Sequence, residues 1–342
     1  MAGANEDAFL GGLLGLAIGD ALGMPVVGQS RAEIAARHNR IAGFLPRVFA
    51  DGTEIGAGEF TDETEIALCV VESASANAGQ IDPENIGARM VYLARGESKR
   101  WLAAATRAAL ERADETLTFR VPLDEDGPAT GDVAARGAPI GLLHAVGAFD
   151  PEALRADVEA VVRVTHGSPA AIAAATAVAV GVRLATRGET PRAGWARATA
   201  DFLDTGEMAA ALRHAAEIHE AGTDLAAAIA MIGTGAAATE VVPAAFVAAM
   251  GAATFEDAVL GAANAGGATD SVGAIAGVLA GAAAGARGIP QRLIDDLEGR
   301  IYVSLAAPWF YRAAQRRAGL VIDLRLDGPG PPDPRPLMPP RQ

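Results

Sequence analysis

Glycine recurs at every fourth residue in two places, at Gly11, Gly15, Gly19 and Gly23 near one end of the chain and at Gly273, Gly277, Gly281 and Gly285 near the other. Four residues is close to one helical turn, so each set falls along a single helix face. A face without Cβ atoms lets another backbone approach closely. Each interior glycine costs a helix about 1 kcal/mol against alanine, so such faces persist only where tight packing compensates. The two runs therefore predict helices packed at the centre of the fold, and that interior role is sufficient to account for them.

The remaining sequence agrees with a helical interior. Apolar residues recur at helical spacing over 86–94, 101–113, 151–164, 170–185, 193–203, 208–221 and 244–250, while alternating strand patterns are nearly absent. With 342 residues, 51% of them hydrophobic, the chain can bury a large core. The expectation is an all-α domain of about a dozen helices over residues 1–327, with no internal linker and no fixed-period repeat. Two long irregular segments, 42–60 and 116–131, have the length of ligand-binding loops. Residues 328–342, GPGPPDPRPLMPPRQ, are too proline-rich to pack and are expected to stay extended.

Composition excludes several partners. Forty-two acidic against 28 basic side chains give a formal charge of −14, and Lys99 is the only lysine. Such a surface repels nucleic acid and anionic membranes, although a small phosphorylated ligand can still be held locally. Cys69 is the single cysteine, so no internal disulfide forms, and a reducing cytoplasm fits. The acidic start MAGANEDAF lacks the cationic region of a secretory signal, and the apolar run 272–286 falls short of the roughly 20 residues of a bilayer span.

Chemistry concentrates in two acidic segments, Thr61-Asp62-Glu63-Thr64 and Thr269-Asp270-Ser271, each where a loop turns into an apolar helix. They offer carboxylates and hydroxyls and no softer donor, the set a hard cation such as Mg²⁺ takes. The same residue types also cap helix N-termini and complement the helix dipole. Taken singly, either segment reads as a cap. A metal pocket requires that the two helix starts meet.

In order along the chain, GGLLGLAIGDALGMP, GEFTDETEIAL, Thr106 to Leu110, RGAPIGLL from Arg136, VTHGSP from Val164, VPAA from Val242 and NAGGATDSVGAIAGVLAGA from Asn264 resemble the ADP-ribosylglycohydrolase family. The resemblance runs from about Phe9 to Leu297. It implies a compact, single-domain all-α fold, a pocket for two Mg²⁺ ions (Mn²⁺ in some members), and hydrolysis of the N- or O-glycosidic bond at the distal ribose of ADP-ribose. Carried over, it assigns metal ligands at Thr61, Asp62, Glu63, Asp270 and Ser271, with Asp62 and Glu63 catalytic. Ligand contacts fall at Glu59, Thr130, Gly131, Asp132, His166, Gly266 and Gly267. Asp20 reads as a buried structural acid and Arg136 as either a phosphate holder or half of an internal ion pair. Trp309, Phe310 and Tyr311 read as core or subunit contact.

Four places depart from the family pattern. Glu63 stands for an aspartate, Ala268 for a second aspartate, and Val27 for a glutamate near the ribose; Gly131-Asp132 also replaces an Asn-Gly pair. Loss of a carboxylate beside a divalent ion, at roughly 4 kcal/mol for a charge pair 4 Å apart, makes one ion the expectation rather than two. The expected function is a divergent glycosidase that cleaves the N-ribosyl bond of an ADP-ribosyl conjugate, such as a modified protein, or of a smaller nucleotide-like metabolite. The alternatives are a pocket that has lost hydrolysis and binds a nucleotide-like ligand or performs another step on a ribosylated metabolite, and a purely structural role. A monomer is the family's default.

Overall fold

The computed structural model describes residues 4–124 and 126–321, so the proline-rich stretch 328–342 lies outside the described residues. Among the described residues there are seventeen α-helices and one short antiparallel hairpin, Arg47–Val48 with Glu54–Ile55. The expected dozen helices becomes seventeen because loops carry short extra turns, as at Gly131–Ala135 and Gln291–Asp295. Helix starts follow local chemistry. Ser168 caps Pro169–Arg187 through its hydroxyl, Asp150 caps Pro151–Val162, and Ser30 forms a capping box with Glu33.

The two glycine helices, Glu6–Gly23 and Thr269–Ala284, lie against each other antiparallel at the centre. A Cβ on Gly19 would fall 1.9 Å from the Gly273 carbonyl oxygen, one on Gly15 2.2 Å from that of Gly277, and one on Gly11 2.4 Å from that of Gly281. The approach is reciprocal: a Cβ on Gly277 would fall 2.0 Å from the Gly15 oxygen. No side chain fits at this spacing, so each backbone packs directly on the other. Cα–H to carbonyl contacts of about 0.5–1 kcal/mol each help offset the helix cost of the glycines. Gly23 meets Thr269 rather than a glycine, and the Thr269 hydroxyl donates to the Gly23 carbonyl at 2.8 Å. Gly285 leaves the stripe and ends its helix at φ +70° beside Asp7.

A second close approach holds Gly137–Leu143 on Pro169–Arg187, where Cβ atoms on Gly137 and Gly141 would fall 2.0 and 2.3 Å from the oxygens of Ala175 and Ala179. The helices Glu6–Val26 and Pro169–Arg187 are long and apolar enough to span a bilayer by length and composition alone. In the fold, 89% and 67% of those stretches are buried against other helices. Phe310 is core, 5.5 Å from the Phe9 ring, and Tyr311 packs edge-on to Phe9, whereas Trp309 is exposed. Cys69 is buried, and burial foremost, with Glu72 and Glu65 nearby, pushes its thiol up to about 12.

The antiparallel ladder has one consequence for function. It sets the C-terminal end of the first helix, with Asp20, beside the N-terminal end of the last glycine helix, with Asp270.

Candidate functional site

A third helix, Asp62–Ala76, starts at this same junction, and Asp20 fixes it there. Asp20 is fully buried and accepts hydrogen bonds from the Thr61 N–H (2.9 Å) and hydroxyl (2.7 Å) and from the Thr64 N–H (3.2 Å) and hydroxyl (2.6 Å). Thr61, at the cap position, caps nothing with its own side chain. Asp20 takes over that task from another helix, satisfying donors the helix start would otherwise leave unpaired. Burial foremost raises its carboxyl to about 7, against the lowering effect of these hydrogen bonds.

Glu63 ties the second joint. Its Oε1 accepts from the Ser271 hydroxyl at 2.6 Å, and its Oε2 lies 3.1 Å from the Thr61 hydroxyl oxygen. The single Thr61 proton cannot serve both carboxylates, so the pair shares one further proton, carried by Asp20 or by Glu63. The chain reaches the junction a fourth time at Gly131–Ala135. There the Gly131 N–H donates to Ala236 O at 3.2 Å, and a Cβ on Gly131 would fall 2.6 Å from the Ser271 Cβ. Glycine at 131 thus allows Asp132 to stand beside the last glycine helix.

These elements enclose a cavity of about 370 Å³. Asp62, Glu63, Asp132, Asp270, Ser271 and His166 contribute its polar lining, with Thr130 and Gly131 beside them. The apolar side includes Trp101, Pro128, Ala236, Val27 and Ala268. Distant carboxylates therefore do converge, and the two positions where family acids are absent face the same space. Burial is the main cause that lifts Asp62, Glu63 and Asp270, with neighbouring carboxylates adding to it. Glu63 rises to about 7 and Asp270 to about 8, while Asp62 stands well above the usual carboxylate range with Glu63, Asp132, Asp20 and Asp270 all opposing its charge. Asp270 shows some surface to the cavity, but protein surrounds it on its other sides.

Arg136 is the one buried cation here, and it faces inward. Its Nη2 lies 3.6 Å from Asp132 Oδ2 and donates to the Thr106 hydroxyl at 2.8 Å, while Nη1 donates to the Thr165 hydroxyl. Of the two expected roles it takes the internal ion pair. Thr165 Oγ1 lies 2.8 Å from His166 Nδ1. Thr165 thus links the Arg136 guanidinium to the imidazole through Nδ1. Burial foremost, then the Arg136 charge, holds His166 down at about 4. His166 is therefore a neutral imidazole at the cavity wall, with Nδ1 engaged by Thr165.

Several expected site residues stand elsewhere. Thr61 is fully buried behind the cavity, its hydroxyl engaged by Asp20. Glu59 pairs with Arg100 and accepts from the Gly56 N–H at 2.8 Å, outside the lining, so it is a loop anchor. Gly266 and Gly267 do not line the cavity. Both have positive φ, and Cβ atoms there would fall 2.6 Å from Arg31 N and 1.9 Å from Thr234 O, so they are glycines for packing and turn geometry. Trp101 was missed by pattern reading because it sits just before the helix Ala104–Thr116, in a stretch whose apolar spacing reads as helix. A clue was available in Arg100-Trp101, which form a cation–π pair at 4.5 Å.

Among the described residues no group of three His, Cys, Asp or Glu side chains already surrounds one point as a metal would require. The donor set nonetheless fits a hard cation in chemistry. The polar wall is built mainly of carboxylate and hydroxyl oxygens, and neighbouring acids add to the elevation that burial gives Asp62, Glu63 and Asp270, with Arg136 the one cation beside them.

The ADP-ribosylglycohydrolase family model matches residues 1–322, and the chain belongs to that family. It is 32% identical to an uncharacterised protein of Archaeoglobus fulgidus, over 91% of this chain and 98% of that one. It is 29% identical to the ADP-ribosylarginine hydrolase Tri1 of Pseudomonas putida, over 90% of this chain and 79% of that protein. Among solved structures, an ADP-ribosylglycohydrolase-related protein complex superposes with a TM-score of 0.67 at 28% identity, covering 90% of this chain and 98% of that chain. The compact helical fold is thus the family's fold.

Proposed function

We propose that this member of a glycosidase family hydrolyses the N-ribosyl bond of an ADP-ribosyl conjugate or of a smaller nucleotide-like metabolite, with one hard divalent cation in its acidic cavity. The observation that carries the reading is the convergence of Asp62, Glu63, Asp132 and Asp270 on one 370 Å³ space beside His166. Asp62, Glu63 and Asp270 would hold the cation, Mg²⁺ or Mn²⁺, with the Ser271 hydroxyl steadying Glu63. Such an ion supplies a lowered water pKa and a hold on the ribose hydroxyls.

The chain's own groups do the rest. Glycosidic cleavage passes through an oxocarbenium-like state, so carboxylates around the anomeric carbon favour it electrostatically. Asp62 and Glu63 are the candidates to take the proton of the attacking water. His166, neutral and oriented through Nδ1 by Thr165, turns its Nε2 to a polar atom of the ligand. The wall of Trp101, Pro128 and Ala236 excludes bulk water. The test is release of free ADP-ribose from ADP-ribosylarginine and from an ADP-ribosylated protein with Mg²⁺ or Mn²⁺. Release that Asp62→Asn abolishes supports the reading, and no release from any ribosyl compound rejects hydrolysis.

A second reading has its own observation. Val27 and Ala268 both line the cavity where the family pattern has acids, so the space is more apolar on that side. It supports a site turned to another ribosylated ligand or another step. Under that reading the double change Val27→Glu with Ala268→Asp brings ADP-ribosyl hydrolysis to a protein that lacks it. Under the first, the wild type already hydrolyses.

A further inference from the structure

The wall of the cavity that carries Trp101 is unlike the acidic wall around Asp62. Trp101, Ala103, Ala104 and Ala105 form a nearly continuous apolar stretch of the lining, in which only the indole is large. Stacking joins this stretch to the loop 42–60. The Arg100 guanidinium lies 4.5 Å from the Trp101 ring centroid, the Phe49 ring stands 6.0 Å from it at 60°, and the Arg47 guanidinium lies 4.2 Å over Phe49. Arg47 Nη1 also donates to the carbonyls of Pro25 at 3.1 Å and Val27 at 3.0 Å. Val27 is itself part of the lining, so the row Arg47, Phe49, Trp101, Arg100 is tied to the cavity at Val27 and again at Trp101.

The charges along this row sort the possible leaving groups. A guanidinium leaving group, as in an arginine conjugate, needs an acid to receive it or an aromatic face not yet taken by a cation. The Trp101 indole already carries Arg100, and Arg47 adds a positive charge that no acid among the described residues pairs with. Asp132, the one lining acid that the proposed cation does not use, is turned to Arg136, Thr106 and Thr130. A neutral heterocycle meets the opposite conditions. Its ring stacks on an indole without a charge partner. The electron pair it takes up as the glycosidic bond breaks is favoured by guanidiniums nearby. The helix Ala104–Thr116 acts in the same sense, because it starts in this wall with no side chain capping its first N–H groups.

We propose that the Trp101 wall holds the leaving group and that this group is a planar heterocycle, so that the substrate is an N-ribosyl base of the nucleoside type rather than an ADP-ribosylated arginine. The inference rests on the hydrolytic reading above and narrows it. Water gives its hydroxyl to the anomeric carbon, and the bond from that carbon to the ring nitrogen breaks. The ring nitrogen keeps the electron pair and takes the remaining proton of the water, which leaves a free sugar and a free base. A cavity of about 370 Å³ is near the small end of ligand sites and suits a ribosyl group with one ring system. Trp101 is on this account a specificity-determining residue.

Two measurements on the full chain with Mg²⁺ test the proposal. Comparison of kcat/KM for uridine, inosine and ADP-ribosylarginine should favour the better nucleoside at least about tenfold. Trp101→Ala should raise KM for that nucleoside at least about tenfold, and Trp101→Phe should recover most of the loss, with circular dichroism confirming an unchanged fold. Formycin B, a nucleoside whose base is joined through carbon and resists hydrolysis, reads the wall without the reaction. Calorimetry should show it bound by the wild type and by Trp101→Phe, and bound at least about tenfold more weakly by Trp101→Ala. A higher kcat/KM for ADP-ribosylarginine overturns the proposal and leaves hydrolysis standing. Formycin B bound through Trp101 with no compound cleaved supports the preference of the wall while the hydrolytic reading falls. Equal binding of formycin B to wild type and Trp101→Ala, or none to the wild type, overturns the proposal.

Discussion

The glycine ladder and the acidic cavity at its end meet at one junction but are stabilised in opposite ways. Along the ladder, Gly19 packs on Gly273 and Gly15 on Gly277 with no side chain and no charge between them. At the cavity, Asp62, Glu63 and Asp270 are buried close to one another and to Asp132, and these neighbouring charges oppose ionisation of the first three. The first region is a packing solution that only a few atoms can spoil. The second is an electrostatic conflict held in place by the first, and it is the form expected of a site that awaits a positive charge. Stability is thus assigned to the two glycine helices, and chemistry to the junction where the helices that begin at Asp62 and Gly131 meet their end.

The ladder is the easier to break, and the effect there is the largest. Gly19→Val sets its Cβ within 1.9 Å of the Gly273 oxygen, and overpacking against backbone leaves no side chain to move. The expected outcome is loss of more than about 4 kcal/mol, read as the absence of a cooperative thermal transition. A folded Gly19→Val protein with a near-native melting temperature would show that the helices do not touch as described.

At the cavity the opposite sign is expected for stability. Asp62→Asn should lower hydrolysis at least about a hundredfold and, in chelator at pH 8, raise the melting temperature because one of several opposed charges is gone. Loss of activity with a lowered melting temperature would mean that Asp62 is a structural acid. The comparison is sharpened by cations. The acids have folded pKa values above their unfolded ones, so without metal their contribution favours the fold at low pH and is lost as pH rises from about 4 through 7 to 8. Mg²⁺ should therefore stabilise little near pH 5 and by about 2–3 kcal/mol near pH 8 at a hundredfold excess over Kd. Equal shifts at both pH values would remove the acids from the binding site.

His166 gives the smallest effect and the reverse slope. Its folded pKa is depressed to about 4, so its contribution is present above about 6.5 and lost as pH falls towards 4. His166→Gln should flatten that acid limb by on the order of 2 kcal/mol. An unchanged limb would show that the Arg136–Thr165–His166 chain does not hold the ring neutral.

Much of this contrast is visible in the amino-acid order, and the reasons for the gaps are physical. Period-four glycines and apolar periodicity carry the helices because both are local properties. The meeting of Asp62 with Asp270 follows from the ladder, but its antiparallel direction is a tertiary fact that neither glycine run contains. Thr61 looked like a ligand because its motif is one, yet its hydroxyl turns to Asp20, 41 positions away. Gly266 and Gly267 resembled ligand-cradling glycines, and a motif cannot distinguish a backbone that approaches a ligand from one that approaches Thr234. Trp101 escaped notice because apolar spacing extends the helix pattern past its true start.

Calorimetric titration of Mn²⁺ into the wild type, Asp62→Asn and Asp270→Asn addresses the junction most directly. The account predicts one ion per wild-type chain and loss of that binding in both variants, although their positions in the chain are some 200 residues apart. Binding that survives Asp270→Asn unchanged, or no binding to the wild type, would contradict it.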